Sequence, residues 1–162
     1  MEEFVNKARR YRELRDKGKD RTQEENKEFE SLAKELSDNF VRIKEAIITN
    51  YPKVALAHLF EMLEDTFERL KRQQRGKLGI MDRMTKKLLG WWLSKIKPEQ
   101  RERINKVWDD MSNKIFQVWF HNRAWYVLDI DKYNRIWHET KADIAEWLLR
   151  VFEKHFKERQ EK

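Results

Sequence analysis

The chain contains no cysteine, and its 162 residues include only four glycines and two prolines. Without cysteine there can be no disulfide framework, no thiolate metal site and no cysteine nucleophile. The scarcity of turn-forming residues excludes an all-β sandwich, which needs a turn roughly every ten residues.

Long apolar runs are also missing from the sequence. No segment of about 18 apolar residues is present, so no segment is expected to span a bilayer. The first residues, MEEFVNKARRYRELR, lack the apolar region of a secretory signal. We therefore expect an intracellular, cytoplasmic protein that is not secreted.

What the sequence does contain favours helices. Charged residues and hydrophobic residues each make up 40% of the chain, and the charged ones are mainly Lys, Arg and Glu, which are good helix formers. We predict an all-α fold, a bundle of about five helices with an N-terminal helical hairpin. The β-formers in AWYVLDI leave open a small β-hairpin near residues 124–138, with an irregular connection or continuous helix as the alternatives.

Residues 1–50 have the pattern of the N-terminal hairpin, with helices predicted over 3–17 and 22–49. Gly18 is placed to end the first helix in a left-handed conformation, and Thr22 with Glu25 forms a capping box for the second. The hairpin either packs on the bundle or projects from it. The hairpin is also the candidate surface for a protein partner or a homo-oligomer.

Residues 51–162 form the second predicted unit, a Trp-rich bundle, since all seven tryptophans lie between 91 and 147. Helices are predicted over 53–72, 83–96, 98–120 and 140–158 from their apolar periodicity. Pro52 should end the helix before it, because Tyr51 is pushed out of the α region, Asp82 should cap the helix 83–96, and Thr140 with Asp143 should cap the last.

The helix 83–96 includes the stretch KKLLGWWLSKIK. At 100° per residue its apolar side chains cover an arc of about 200°, which is typical of a helix that is mostly in a core. This width predicts that Trp91 and Trp92 point inward, while the lysines form a narrow outer ridge.

The net charge of +7 is concentrated in one segment. Within residues 69–97, ten Lys and Arg residues accompany a single acid, Asp82. Such a local excess attracts polyanions, so the first functional hypothesis is non-enzymatic binding of the nucleic-acid backbone. The residues predicted to bind phosphates are Arg69, Lys71, Arg72, Arg75, Lys77, Lys86 and Lys87. A solvated basic face with no partner is an equally weighted alternative.

Two further hypotheses use other features. A protein-interaction or assembly module of the viral, plasmid or phage accessory type would use the aromatic segment 119–137. Its predicted contact residues are Trp119, Trp125, Tyr126, Tyr133 and Trp137. A peripheral membrane binder would use the basic, Trp-bearing helix 86–97, but this requires its apolar face to be free, and a bundle would cover that face.

No catalytic, metal or cofactor site is predicted. His138-Glu139 begins like the zinc motif H-E-x-x-H, but Ala142 replaces the second histidine. GKLG at 76–79 lacks the spacing of a phosphate-binding loop. We therefore expect a protein that is not an enzyme.

Overall fold

The computed structural model describes residues 1–73 and 79–160, without the side chains of residues 70, 71, 73, 80–83, 85 and 158–160. These ranges contain seven α-helices, a short 3₁₀ turn at Gly18–Asp20 and no strand. The all-α prediction is confirmed, and the count of about five helices is wrong. The helices are α1 (Glu2–Lys17), α2 (Gln23–Asp38), α3 (Phe40–Asn50), α4 (Pro52–Gln73), α5 (Gly79–Ser94), α6 (Arg101–Ala124) and α7 (Ile130–Gln160).

Local signals set several helix ends as the sequence predicted. Gly18 follows α1 with a positive φ of 55°, a conformation that favours glycine. The hydroxyl of Thr22 accepts a hydrogen bond from the amide of Glu25 over 3.1 Å, which caps α2. The helix α3 ends at Asn50, just before Pro52, and α4 starts at Pro52 itself, where a start at residue 53 was predicted.

Asn39 separates α2 from α3, where a single helix over 22–49 was predicted. Its Nδ2 atom donates to the carbonyl oxygen of Glu35 over 2.8 Å, and its amide donates to the same oxygen over 3.1 Å. Such a side-chain bond competes with the helical ladder. The helix therefore breaks at Asn39, and α3 starts at Phe40.

The predicted β-hairpin near 124–138 is wrong. Residues 125–129 form a short connection, and α7 begins at Ile130. A carboxylate oxygen of Asp129 accepts from the amides of Asp131 and Lys132 over 2.9 and 3.4 Å. This cap starts a helix, and β propensity, which depends mainly on packing against neighbouring strands, does not override it.

Thr140 lies inside α7, so its predicted role as the N-terminal cap with Asp143 is also wrong. Its hydroxyl donates to the carbonyl oxygen of Ile136 over 2.7 Å, and the side chain is buried. Buried threonines in helices satisfy their hydroxyls in this way. The helix α7 continues through Thr140 and is 31 residues long.

The long helix α7 is the centre of the fold and contacts α1, α2, α3, α4 and α6. The buried apolar residues form one cluster to which all seven helices contribute. Fully buried members include Leu14, Leu36, Ile47, Leu59, Ile104 and Ile144. Each such side chain contributes about 1.5–3 kcal/mol through burial.

The N-terminal hairpin packs on α7. The rings of Tyr11 in α1 and Phe29 in α2 are stacked, with centroids 4.9 Å apart. The hydroxyl of Tyr11 donates to the carboxylate of Asp143 in α7 over 2.8 Å. Homo-oligomerisation or partner binding through this hairpin stays a prediction.

Among the described residues, no helix combines the length and the apolar character needed to cross a membrane.

Candidate functional site

The described side chains of α5 are buried on one narrow side of the helix. Leu93 and, just after the helix, Ile96 are buried at 1% and 4% exposure. By contrast Met84, Leu88 and Trp91 are each about 60% exposed, at 61%, 63% and 61%. Trp92 is 37% exposed. The prediction that both tryptophans point inward is therefore wrong.

The reason is that α5 has one main neighbour. Among the described residues it makes extended contact only with α4, and one contacting helix covers only part of a wide apolar arc. At 100° per residue, Trp91, Met84, Leu88 and Trp92 follow one another around about 100° of the helix, next to the buried Leu93 side. We call these four residues the exposed stripe.

Cations surround the exposed stripe. Lys87 is exposed about 40° beyond Trp91 on the same helix. Lys95 lies within the stripe in angular position, with Nζ 5.5 Å from the ring centroid of Trp91. On the other side, the guanidinium of Arg103 from α6 lies 5.5 Å from the centroid of Trp92.

These three cations are not neutralised by a neighbour within the described parts of the chain. The ion pairs found there use other Lys and Arg residues. A contact between a cation and an aromatic face leaves the charge in place. The surface of α5 is thus both apolar and electropositive.

The residues predicted to bind nucleic acid do not all lie on this surface. Arg69 forms an ion pair with Asp65, with Nε 2.7 Å from Oδ2, and its guanidinium lies 4.5 Å from the ring centroid of Trp119. Arg72 and Lys87 are exposed, and Lys86 is half-buried. Arg75, Lys77 and the side chain of Lys71 lie outside the described residues.

The predicted aromatic contact residues are divided between core and surface. Trp119 is buried, and Trp137 packs under Lys141, whose Nζ lies 4.0 Å from the ring centroid. Burial lowers the pKa of Lys141. Trp125, Tyr126 and Tyr133 are exposed at the connection between α6 and α7 and at the start of α7.

Sequence reasoning missed two polar clusters inside the fold. One is the buried pair His58 and Trp108, joined by a hydrogen bond of 2.9 Å. The other consists of arginines around the buried carboxylates Asp143 and Glu146. The second cluster has a signal in the sequence, because Glu139, Asp143, Glu146 and Arg150 recur at spacings of four, three and four along one helix face.

These features define an all-α bundle with an amphipathic helix whose apolar face is only partly covered. Comparisons of the chain with protein-family models, with curated proteins and with solved structures found no match. Within residues 1–73 and 79–160, no three His, Asp or Glu side chains are grouped in a way that could hold a metal ion.

Proposed function

We propose that this protein is a peripheral binder of anionic membrane surfaces and that α5 is the element that lies in the interface. The observation that carries the proposal is the exposed stripe of Met84, Leu88, Trp91 and Trp92 with its adjacent cations. Interfacial helices combine an apolar face that enters the headgroup region with Lys and Arg that meet anionic lipids.

The kinds of side chain in the stripe support a bilayer as the partner. Trp is enriched at the level of the lipid headgroups, because its ring is apolar and its N–H is polar. Lys95 lies among apolar side chains near the end of the helix, where it can extend its ammonium toward lipid phosphates. Met84 and Leu88 offer only apolar surface, which acyl chains can bury.

A second copy of this chain is a less favourable partner for the same face. Around the stripe lie Lys87, Lys95 and Arg103, and two copies meeting through α5 would bring these like charges together. Like charges juxtaposed across an interface disfavour the complex. An anionic surface reverses the sign of this effect.

Binding to the nucleic-acid backbone through residues 69–97 stays a prediction. The exposed cations would serve a phosphate backbone as well as a lipid headgroup, and exposed tryptophans can stack on unpaired bases. Met84 and Leu88, however, have no role in holding phosphates or bases. Binding to a bilayer and binding to nucleic acid can therefore be distinguished by whether the loss of an aliphatic side chain weakens the binding.

The test is co-sedimentation with vesicles of phosphatidylcholine alone and of phosphatidylcholine with phosphatidylglycerol. We expect binding to the anionic vesicles only. The double variant Lys87→Glu, Lys95→Glu should weaken it by about 2 kcal/mol or more, which is about 30-fold. The matched control Lys27→Glu, Lys53→Glu makes the same charge change at exposed positions of α2 and α4 and should bind like the wild type.

A second pair of variants tests the apolar contribution. Leu88→Ser should weaken vesicle binding, whereas Trp125→Ser, which removes an apolar side chain of 68% exposure elsewhere, should not. If the wild type binds random duplex or single-stranded DNA at low salt and Leu88→Ser binds it equally well, the nucleic-acid prediction replaces this proposal. Equal binding of the wild type to neutral and anionic vesicles would contradict the proposal that the protein binds anionic membrane surfaces.

The aromatic surface at the start of α7 supports a second candidate function, docking of a protein partner. Trp125, Tyr126, Leu128 and Ile130 are all more than two-thirds exposed, and exposed apolar clusters of this kind mark interaction sites. Trp125→Ser would then abolish assembly while vesicle binding persists. Analytical ultracentrifugation of the wild type and this variant measures that difference.

A further inference from the structure

A cavity of about 310 Å³ opens at a second place in the molecule. Its lining residues within the described part come from α1, α4, α6 and α7, so it is distinct from the surface of α5. The size is at the lower end of the range for small-molecule sites. Four arginines, three carboxylates and the rings of Trp119 and Trp147 line it.

Asp143 is buried in the wall of this cavity and fixes two of its arginines. Its Oδ1 accepts from the hydroxyl of Tyr11 over 2.8 Å and from Nη1 of Arg15 over 3.3 Å. Its Oδ2 lies 2.8 Å from Nη2 of Arg123. Burial and the charge of Asp143 raise the pKa of Tyr11, so this hydroxyl remains a donor.

Glu146, whose side chain is also buried, anchors arginines on its other side. Its Oε1 accepts from Nη1 of Arg12 over 3.1 Å and lies 3.5 Å from Nε of Arg150. Its Oε2 accepts from Nη1 of Arg15 over 3.3 Å. Burial acts to lower the pKa of Arg15, but the charges of Glu146 and Asp143 outweigh it and raise this pKa.

Two arginines face the cavity with donors to spare. The shortest contact of Arg69 with Asp65, and of Arg150 with Glu146, is made by Nε. Among the described residues, the terminal nitrogens of these two arginines donate no hydrogen bond. The guanidinium of Arg69 is held on the face of Trp119, so it is oriented before any ligand arrives. Preorganised donors lose little freedom on binding.

We propose that this cavity binds a small organic phosphate monoester, with the phosphate held by the terminal nitrogens of Arg69 and Arg150, while Arg123, which bonds to Asp143 and Thr140, adds positive charge to the wall. The four lining arginines outnumber the three lining carboxylates, so the cavity has an excess positive charge. Arg69 belongs to α4 and Arg150 to α7. A tetrahedral phosphate presents oxygens in several directions and can meet both, whereas a planar carboxylate matches one guanidinium.

The aromatic residues of the cavity would contact the organic part of the ligand. The rings of Trp119 and Trp147 are parallel within 2°, with centroids 6.2 Å apart. The indole N–H of Trp147 is already used by Glu61, to which it donates over 2.9 Å. Trp119 is buried and Trp147 is half-buried, so the apolar surface beside the arginines is small and comes mainly from Trp147. It suits a small organic group such as a sugar attached to the phosphate.

Isothermal titration calorimetry with adenosine monophosphate, inorganic phosphate, adenosine and citrate, all at one ionic strength, tests this inference. We expect the monophosphate to bind, inorganic phosphate to bind more weakly, and adenosine and citrate to give no heat. Arg69→Gln and Arg150→Gln should each lower the affinity for the monophosphate at least about tenfold. The matched control is Arg135→Gln, which removes an arginine that is equally exposed and ion-paired with Glu30 outside this cavity.

Absence of heat with both the monophosphate and phosphate on the wild type would overturn the inference. So would citrate binding as tightly as the monophosphate, or equal affinities in Arg69→Gln, Arg150→Gln and the control. Because the wild-type titration decides by itself, the test does not depend on either variant folding. It is also independent of vesicle binding by α5.

Discussion

The indole N–H of Trp108 donates a hydrogen bond to Nδ1 of His58 over 2.9 Å, and both side chains have no exposed surface. This bond fixes the tautomer of the imidazole, because Nδ1 must be unprotonated to accept it. The proton of neutral His58 is therefore on Nε2, which has no hydrogen-bond partner among the described residues.

Protonation of His58 should destabilise the fold. Burial, with a smaller effect from the charge of Arg150, lowers its pKa to about 3. The unfolded chain binds this proton near the ordinary value of 6.5, so between about pH 6.5 and about pH 3 the unfolded state holds more protons. The contribution of neutral His58 to the free energy of unfolding should therefore be fully present above pH 6.5. Below that pH the free energy of unfolding should fall by up to about 1.4 kcal/mol per pH unit.

Urea unfolding of the wild type and of His58→Asn between about pH 7 and about pH 5 measures this effect. Asparagine can offer an oxygen to Trp108 but does not titrate. The variant should lose the part of the pH dependence of the free energy of unfolding that comes from His58. Identical slopes for the two proteins would show that His58 is not the group responsible.

Glu146 should be more important for stability than a typical charged residue. It is fully buried beside Arg12, Arg15 and Arg150, and its loss leaves a cluster of like charges. We expect Glu146→Gln to lower the free energy of unfolding by about 2 kcal/mol, less than a wholly buried pair would give because the arginines are partly exposed. Glu153→Gln, in a more exposed ion-paired site, should cost less than about 1 kcal/mol in the same chemical unfolding experiment.

The helix caps show what could be predicted from the sequence and what could not. Thr22, Gly18 and Pro52 act on neighbouring backbone groups, so their effect is visible in a few residues. Thr140 has the same chemical character as Thr22, yet it bonds to the carbonyl of Ile136 inside a helix. Which of the two roles a threonine takes depends on the helix that surrounds it.

Thr22→Ala tests the cap that was predicted correctly. Loss of the hydroxyl that accepts from Glu25 should lower the free energy of unfolding by about 1 kcal/mol. Thr49→Ala, at an exposed position in α3, is the control and should change it by less than about 0.5 kcal/mol. If the two variants are equally stable, the cap contributes nothing.

The orientation of α5 is the part of the site that the sequence could not provide. Periodicity identifies the apolar arc of a helix but does not say how many neighbours will cover it. The width of the arc around Trp91 and Trp92 therefore predicts a core position for both. In the structure one helix, α4, covers the side of Leu93 and leaves the exposed stripe uncovered.

Two leucines of α5 test this orientation. Leu93→Ala should lower the free energy of unfolding by about 2–4 kcal/mol, because Leu93 is 1% exposed and its loss leaves a cavity. Leu88→Ala, at 63% exposure, should change it by less than about 0.5 kcal/mol. Equal losses measured by thermal or urea unfolding would mean that α5 is covered on both sides.

The membrane contact itself can be observed from α5, because the chain has no cysteine and a single introduced one can be labelled uniquely. Leu88→Cys and, as a control, Lys27→Cys in α2 would each carry the same polarity-sensitive fluorophore. On addition of phosphatidylglycerol-containing vesicles, we predict a blue shift and an intensity gain at position 88 and no change at position 27. No change at position 88, or the same change at both positions, would contradict the proposal that the exposed stripe enters an anionic bilayer surface.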